Sequence, residues 1–277
     1  MISRRNFLKS TAYTLAAGTI GAAAVQQSAT ANAAPILGTV IDFSAHVPNA
    51  SAIREAGHMG AIRYVSERRP GAEWMLGKPV TLNETRAMAT EHLHTASVYQ
   101  FGKAETADWK AGAAGALTHA PQAIALHFAA GGPTQRPIYV AIDDNPTRDQ
   151  YVNQIRPYLE SFKNALAAAS LQMGVYGNYS TIEWAINDGL GEFYWQHDWG
   201  SQGKLHPRAH VHQKAGYRAH IDGVEVDINN VYAADWGQWL PGNIVVPPNT
   251  DDAPNANNNA STDSISTLIR ALGTSSS

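Results

Sequence analysis

The sequence predicts an α/β fold, a single (β/α)8 barrel of the TIM type with some helices irregular or missing. Three observations lead there. Between residues 35 and 239, runs with a two-residue apolar period alternate with runs of helical character. Eight strand-like runs occur, most of them separated by a helix, which is the pattern of a closed parallel barrel. No glycine-rich phosphate loop follows the first strand, which counts against an open doubly wound sheet.

Taken in order, residues 37–43 (LGTVIDF) form the first strand, ending at Asp42, and 49–57 a short helix capped by Asn49. Residues 61–66 (AIRYVS) are the second strand. Thr81 caps a helix over 81–93, with Glu84 at capping-box spacing. Residues 94–100 (HTASVYQ) are the third strand, and 104–130 an Ala-rich helical stretch broken near Pro121. The fourth strand lies in RPIYVAIDDNP, residues 136–146. There Ile138, Val140 and Ile142 alternate with Tyr139, Ala141 and Asp143, and Pro146 ends the run because it has no N–H to give. A helix over 147–170 carries Pro157 near its start or at a kink. Residues 171–176 (LQMGVY) are the fifth strand and 180–187 its helix; 193–196, 209–213 and 224–228 supply the sixth, seventh and eighth.

The ends differ from this middle. SRRNFLK at residues 3–9, a modestly apolar Gly- and Ala-rich run and the small residues Ala31-Asn32-Ala33 make 1–33 a twin-arginine signal peptide, with a mature chain from Ala34. The apolar run falls short of the ~20 residues that span a bilayer, so no stable membrane span is expected after cleavage. The barrel domain is placed at 34–240. Residues 241–264, rich in Pro, Asn, Asp and Ala, are expected to be a disordered linker, and 265–277 a short helix or tail with Ile265, Leu268, Ile269 and Leu272 at helical spacing. Loss of the signal removes Arg4, Arg5 and Lys9, leaving 17 basic against 23 acidic residues, so nothing argues for nucleic acid. There is no cysteine, which excludes disulfides and thiolate metal sites. A monomer held by its hydrophobic core, with no cofactor, is expected.

In a barrel of this kind chemistry gathers at the carboxyl ends of the strands. Asp42, Asp143 and Asp227 close apolar strands, and Asp144 follows directly on Asp143. Tyr99, Gln100, Tyr176, Asn178, Trp195, Gln196 and Gln213 fall at the same end. Aromatic faces stack on sugar rings, amides bond to hydroxyls, and carboxylates move protons or stabilise positive charge, so the set suits a glycan. Catalysis is assigned to acids drawn from Asp42, Asp143, Asp144 and Asp227, and substrate binding to the others.

IDFSA with Asp42, YVAIDDN with Asp143, GVYGN with Tyr176 and EVDINNVY with Asp227 carry a family resemblance over most of residues 35–239. The domain resembles the secreted glycoside-hydrolase-like barrel family, a domain of unknown function, and is distantly similar to family-25 lysozymes. That resemblance implies an exported hydrolase of glycosidic bonds in cell-envelope glycan, peptidoglycan or a related polysaccharide, and it adds Asn229, in the lysozymes' closing Asp-x-Asn, to the binding residues. The lysozymes end their fourth strand Asp-x-Glu with that Glu as general acid; this chain has Asn145 there, and an amide gives no proton at neutral pH. A barrel that binds envelope glycan without cutting it is therefore the alternative. A second alternative is a metal-dependent hydrolase built on His210 and His212, two apart on one strand, with His206 and His197 nearby.

Overall fold

The structure, a computed structural model, describes residues 35–242. Eight strands hydrogen-bond in sequence order and close on themselves: β1 (Gly38–Asp42), β2 (Gly60–Tyr64), β3 (His94–Tyr99), β4 (Pro137–Ala141), β5 (Gln172–Gly177), β6 (Phe193–His197), β7 (Val211–Ile221) and β8 (Val224–Val231). Pairings from β1 through β7 are parallel. β8 corrects the expected (β/α)8 barrel, because it runs antiparallel to both β7 and β1. Only Asp222 and Gly223 separate β7 from β8, both with left-handed backbone (φ 50° and 74°). Two residues make a hairpin and cannot hold a crossover helix, so the last strand must turn back.

The helices are α1 (Ala50–Glu55), α2 (Leu82–Thr90), α3 (Gly112–Ala129), α4 (Arg148–Gln150), α5 (Arg156–Ala168) and α6 (Tyr179–Asn187), with a π-helical turn at Tyr151–Ile155. Among the described residues none follows β6 or β7. The outside of β6 is covered instead by the loop after it, since Gln196 donates to the Lys204 carbonyl (2.6 Å) and accepts the His206 N–H (2.7 Å). Pro121 does not break its helix: α3 runs through it, and the change of path falls earlier, at Gly112 with φ 57°. Pro157 lies inside one continuous helical run over 148–168, directly after the π-helical turn, whose irregularity takes up a residue with no N–H to give. Asn49 stands before α1 without a side-chain cap; its amide bonds to the Asp222 carboxylate (2.6 Å), tying the β7–β8 hairpin to the β1–α1 loop.

Strand alternation separates the barrel interior from the outer core, which forms two clusters. Ile138, Val140 and Ile142 face outward onto Phe162, Leu166 and Ile182 of α5 and α6. Val40, Ile62, Ala96, Tyr139, Trp195 and Val231 point inward and fill the barrel. Past β8 the chain closes the amino end: Tyr139 donates to the Trp236 carbonyl (2.7 Å), and Trp239 bridges to Thr95. The signal peptide, the linker from residue 243 on and the C-terminal helix expected above lie outside the described residues.

Candidate functional site

Asp42 shares the inward face of β1 with Val40 and is buried at the carboxyl end of the barrel. One of its oxygens, Oδ2, accepts from the Gln213 amide (3.0 Å) and the Asn229 amide (2.9 Å), while Oδ1 lies 3.5 Å from the Tyr64 hydroxyl. Gln213 in turn accepts from the Tyr176 hydroxyl (2.5 Å), and Asn229 from the Trp195 indole (2.9 Å). A chain of hydrogen bonds thus joins six strands. The Tyr176 ring lies 4.3 Å from that of Trp195. Burial, and then the negative charges of Asp143 and Asp42, push the Tyr176 hydroxyl well above its usual range, so it stays a donor.

Asp143 enters from β4, on the same face as Tyr139 and Ala141. Its Oδ2 accepts from the Gln100 amide (3.0 Å) and from Lys103 Nζ (2.9 Å). Its Oδ1 is buried with no hydrogen-bond partner among the described residues, and the side chain is 8% exposed. A carboxylate oxygen withdrawn from water without a donor is costly unless a substrate or water takes it up. Lys78 is buried, donates to the carbonyl of Gln100 (2.6 Å) and lies 4.2 Å above the Tyr64 ring. His197, at the end of β6, stacks on Trp199 (4.0 Å between centroids); burial lowers its pKa to about 4 against the opposing pull of Asp143, and the ring is neutral at pH 7.

The remaining expected residues are spread differently. Asp227 stands opposite Asp42 in the β1–β8 register, and its Oδ1 accepts from Arg218 (2.8 Å), a cation at the mouth. Asp144 turns away from Asp143 and accepts from the Trp109 indole (3.2 Å); burial raises its pKa, and Asp143 adds to that. Tyr99 follows the inward Val98 and so faces outward, its hydroxyl bonded to His119 (2.6 Å) among α3 and α5. Gln196 is outward too, holding the loop described above. Asn178 caps α6 by accepting the Thr181 N–H (2.8 Å) and donates to Asn145 (3.3 Å). Tyr64, Lys78, Lys103, Trp199 and Arg218 are additions that the strand-end argument did not find. Tyr64 had a signal, the two-residue step from Ile62, whereas the lysines stand on loops that periodicity does not reach.

The four histidines go to separate partners. His206 pairs with Glu183 (2.9 Å), His212 with Asp198 (2.6 Å), and His210 accepts the Tyr194 N–H (3.1 Å). Among the described residues no group of three or more His, Cys, Asp or Glu side chains is placed to hold a metal ion.

Residues 51–231 match the Rv2525c-like, glycoside hydrolase-like domain. A protein of Mycobacterium tuberculosis, Rv2525c, named as a candidate peptidoglycan hydrolase, is 48% identical over 239 residues, 86% of this chain and 99% of the relative. The crystal structure of the Tat-secreted M. tuberculosis Rv2525c in complex with L-tartrate is 51% identical with a TM-score of 0.70, covering 74% of this chain and 100% of that one. The crystal structure of a B. stearothermophilus protein, 16% identical with a TM-score of 0.52 over 70% of this chain and 95% of that one, shares the fold alone.

Proposed function

The chain belongs to the Rv2525c-like, glycoside hydrolase-like domain family, and from that premise we propose that it is an exported hydrolase of glycosidic bonds in cell-envelope glycan, peptidoglycan or a close relative of it. The observation that carries the reading is the asymmetric pair of acids at one end of the barrel. Asp42 is fixed by two amide donors on one oxygen, and Asp143 presents a buried oxygen with no partner among the described residues. In this reading Asp143 moves the proton between leaving oxygen and water through Oδ1, and Asp42 stabilises the positive charge that builds on the sugar ring. Water supplies a hydroxyl to the anomeric carbon and a proton to the departing sugar. Trp199 and Gln100, both partly exposed beside the acids, give the sugar an apolar face and a partner for its hydroxyls, while Trp195, Gln213 and Asn229 are buried and act by holding Asp42 in place.

Export is supported by SRRNFLK and by the description of the M. tuberculosis relative as Tat-secreted. No helix among the described residues is long and apolar enough to cross a membrane. N-terminal sequencing of the secreted protein should find Ala34 first; finding Met1 contradicts a cleaved signal.

The deciding experiment is release of reducing ends from purified envelope glycans. Asp143→Asn should fold normally and lose roughly 10²- to 10⁴-fold in rate, the share that a positioned proton-transfer group contributes. An unchanged rate removes Asp143 from the mechanism. One observation favours a second reading, binding without hydrolysis: Asn145, where the resemblance places an acid, is bonded to Asn178 and carries no transferable proton. Sedimentation of the protein with insoluble glycan while no reducing ends appear would select that reading.

A further inference from the structure

The rim of the barrel carries apolar side chains that the acid site does not use. Trp74 and Leu76, in the loop between β2 and α2, are 56% and 55% exposed, and Val47, in the loop between β1 and α1, is 43% exposed. Both loops leave the carboxyl ends of parallel strands, so they stand at the same end as Asp42 and Asp143. They touch at Gly77, whose N–H donates to the Ser44 carbonyl (2.9 Å). A Cβ there would fall 3.0 Å from the His46 carbonyl oxygen, so glycine permits the approach. Leu76 adjoins Gly77 and Val47 adjoins His46, which puts them on either side of the contact.

The strip is held in shape. Backbone bonds run from Ala72 to Arg69 (3.0 Å), Met75 to Ala72 (3.1 Å), Leu76 to Trp74 (2.9 Å) and Lys78 to Met75 (3.0 Å). Arg63, fully buried in the β2 wall and paired with Glu84, donates to the carbonyls of Phe43 (2.6 Å) and Gly77 (2.5 Å). One guanidinium therefore fixes the residue after Asp42 and the residue before Lys78. Lys78 reaches the carbonyl of Gln100, whose amide holds Asp143. Trp74 and Leu76 thus continue a surface already tied to the acids. Exposed apolar side chains occur elsewhere on the surface, Leu117 at 74% among them; what sets this strip apart is its ordered backbone and its connection to the acid site.

We propose that Trp74, with Leu76 and Val47 beside it, is a distal glycan subsite, where the indole stacks on the apolar face of a sugar unit of the strand being held at Asp143. The proposal rests on the glycan reading above. A glycan strand longer than the barrel mouth crosses its rim, of which these two loops form part, and a sugar's C–H face fits an exposed indole as a lone hydroxyl-binding residue would not. The subsite lengthens the stretch of strand that is recognised and lies away from the reacting bond.

Binding of the whole secreted protein to soluble peptidoglycan strands of defined length, by titration calorimetry on the Asp143→Asn background, tests it. Trp74→Ala should weaken binding of long strands 5- to 20-fold and leave a disaccharide fragment unchanged, and Trp74→Phe should restore most of the loss. Equal long-strand affinity in Trp74→Ala overturns the subsite while the glycan reading survives. If the protein with Trp74 intact binds no strand of any length, the glycan reading itself falls. A concentration-dependent dimer that Trp74→Ala abolishes, with glycan affinity untouched, assigns the patch to a second copy and overturns the proposal.

Discussion

Asp42 shows how much one side chain organises. Two buried amides, from Gln213 and Asn229, converge on its Oδ2, so any replacement must still offer an acceptor there. Asp42→Asn keeps a carbonyl oxygen for both amides and loses the charge. It should unfold in urea within ~1 kcal/mol of the parent and release reducing ends at least ~100-fold more slowly. Asp42→Leu takes the acceptor from the Gln213 amide and leaves the Asn229 amide only its 3.4 Å contacts to the Val40 and Asp227 carbonyls, so it should lower the urea midpoint clearly, by about 1–3 kcal/mol for an amide left unsatisfied. Equal stability of the two variants would show that the amides find other partners. Parity in the sequence was enough to turn Asp42 and Asp143 inward, because each lies two residues beyond a side chain of the barrel interior. The same rule excludes Tyr99 and Gln196, which follow Val98 and Trp195 and so must face outward; the information was present in HTASVYQ and FYWQ. Lys103 was not legible in this way. It reaches Asp143 from a loop, and no spacing in the sequence announces that approach.

At the scale of elements, the strands were legible and the direction of the last one was not taken from the signal that carried it. Asp-Gly between two alternating runs is a two-residue hairpin, and Asp222-Gly223 bears it out with left-handed backbone at both positions. The count of eight strands is compatible with either direction of β8; the turn chemistry decides it. The helices missing after β6 and β7 follow from short or irregular connections, where no amphipathic run exists to be packed. Pro121 misled because proline costs most in isolated helices, while α3 is held along its length by the packing of Ala116, Ala120, Ala123 and Ile124 into the core. Glycine in β5 tests how tightly the strands interlock. A Cβ on Gly174 would lie 2.5 Å from Tyr139 Cδ1, and Tyr139 is fully buried with its hydroxyl fixed to Trp236. The ring has little room to yield. Gly174→Ala should therefore cost about 1–3 kcal/mol in denaturant unfolding, against the gain that alanine brings to an open strand position. A neutral or stabilising result would mean that the barrel interior is loosely filled.

The molecule as a whole should be sensitive to acid. With no disulfide available, stability rests on the closed barrel and its hydrophobic clusters, and two fully buried histidines, His127 and His197, lie within the structure. His127 is tied to Ser97 (2.8 Å) and to the Pro133 carbonyl (3.0 Å), and burial lowers its pKa to about 4; burial lowers His197 to about 4 as well. In the unfolded chain both titrate near 6.5. Between those values the unfolded state binds protons that the folded state refuses, so the stability present at pH 7 is lost as pH falls through 6.5 toward 4. Asp108 and Asp144 oppose this, since burial raises both carboxyls and the folded state then takes up protons first, but their effect begins closer to the carboxylate range. The histidines act at higher pH, and each should remove roughly 2 kcal/mol between pH 7 and 4.5. Urea unfolding at the two pH values checks the sum. His127→Gln isolates one share: it lowers stability at pH 7, because Ser97 keeps only its bond from the Trp239 indole (3.1 Å), yet its stability should fall less on acidification by about that amount. A pH slope identical to the parent's would place the acid-sensitive groups elsewhere in the barrel.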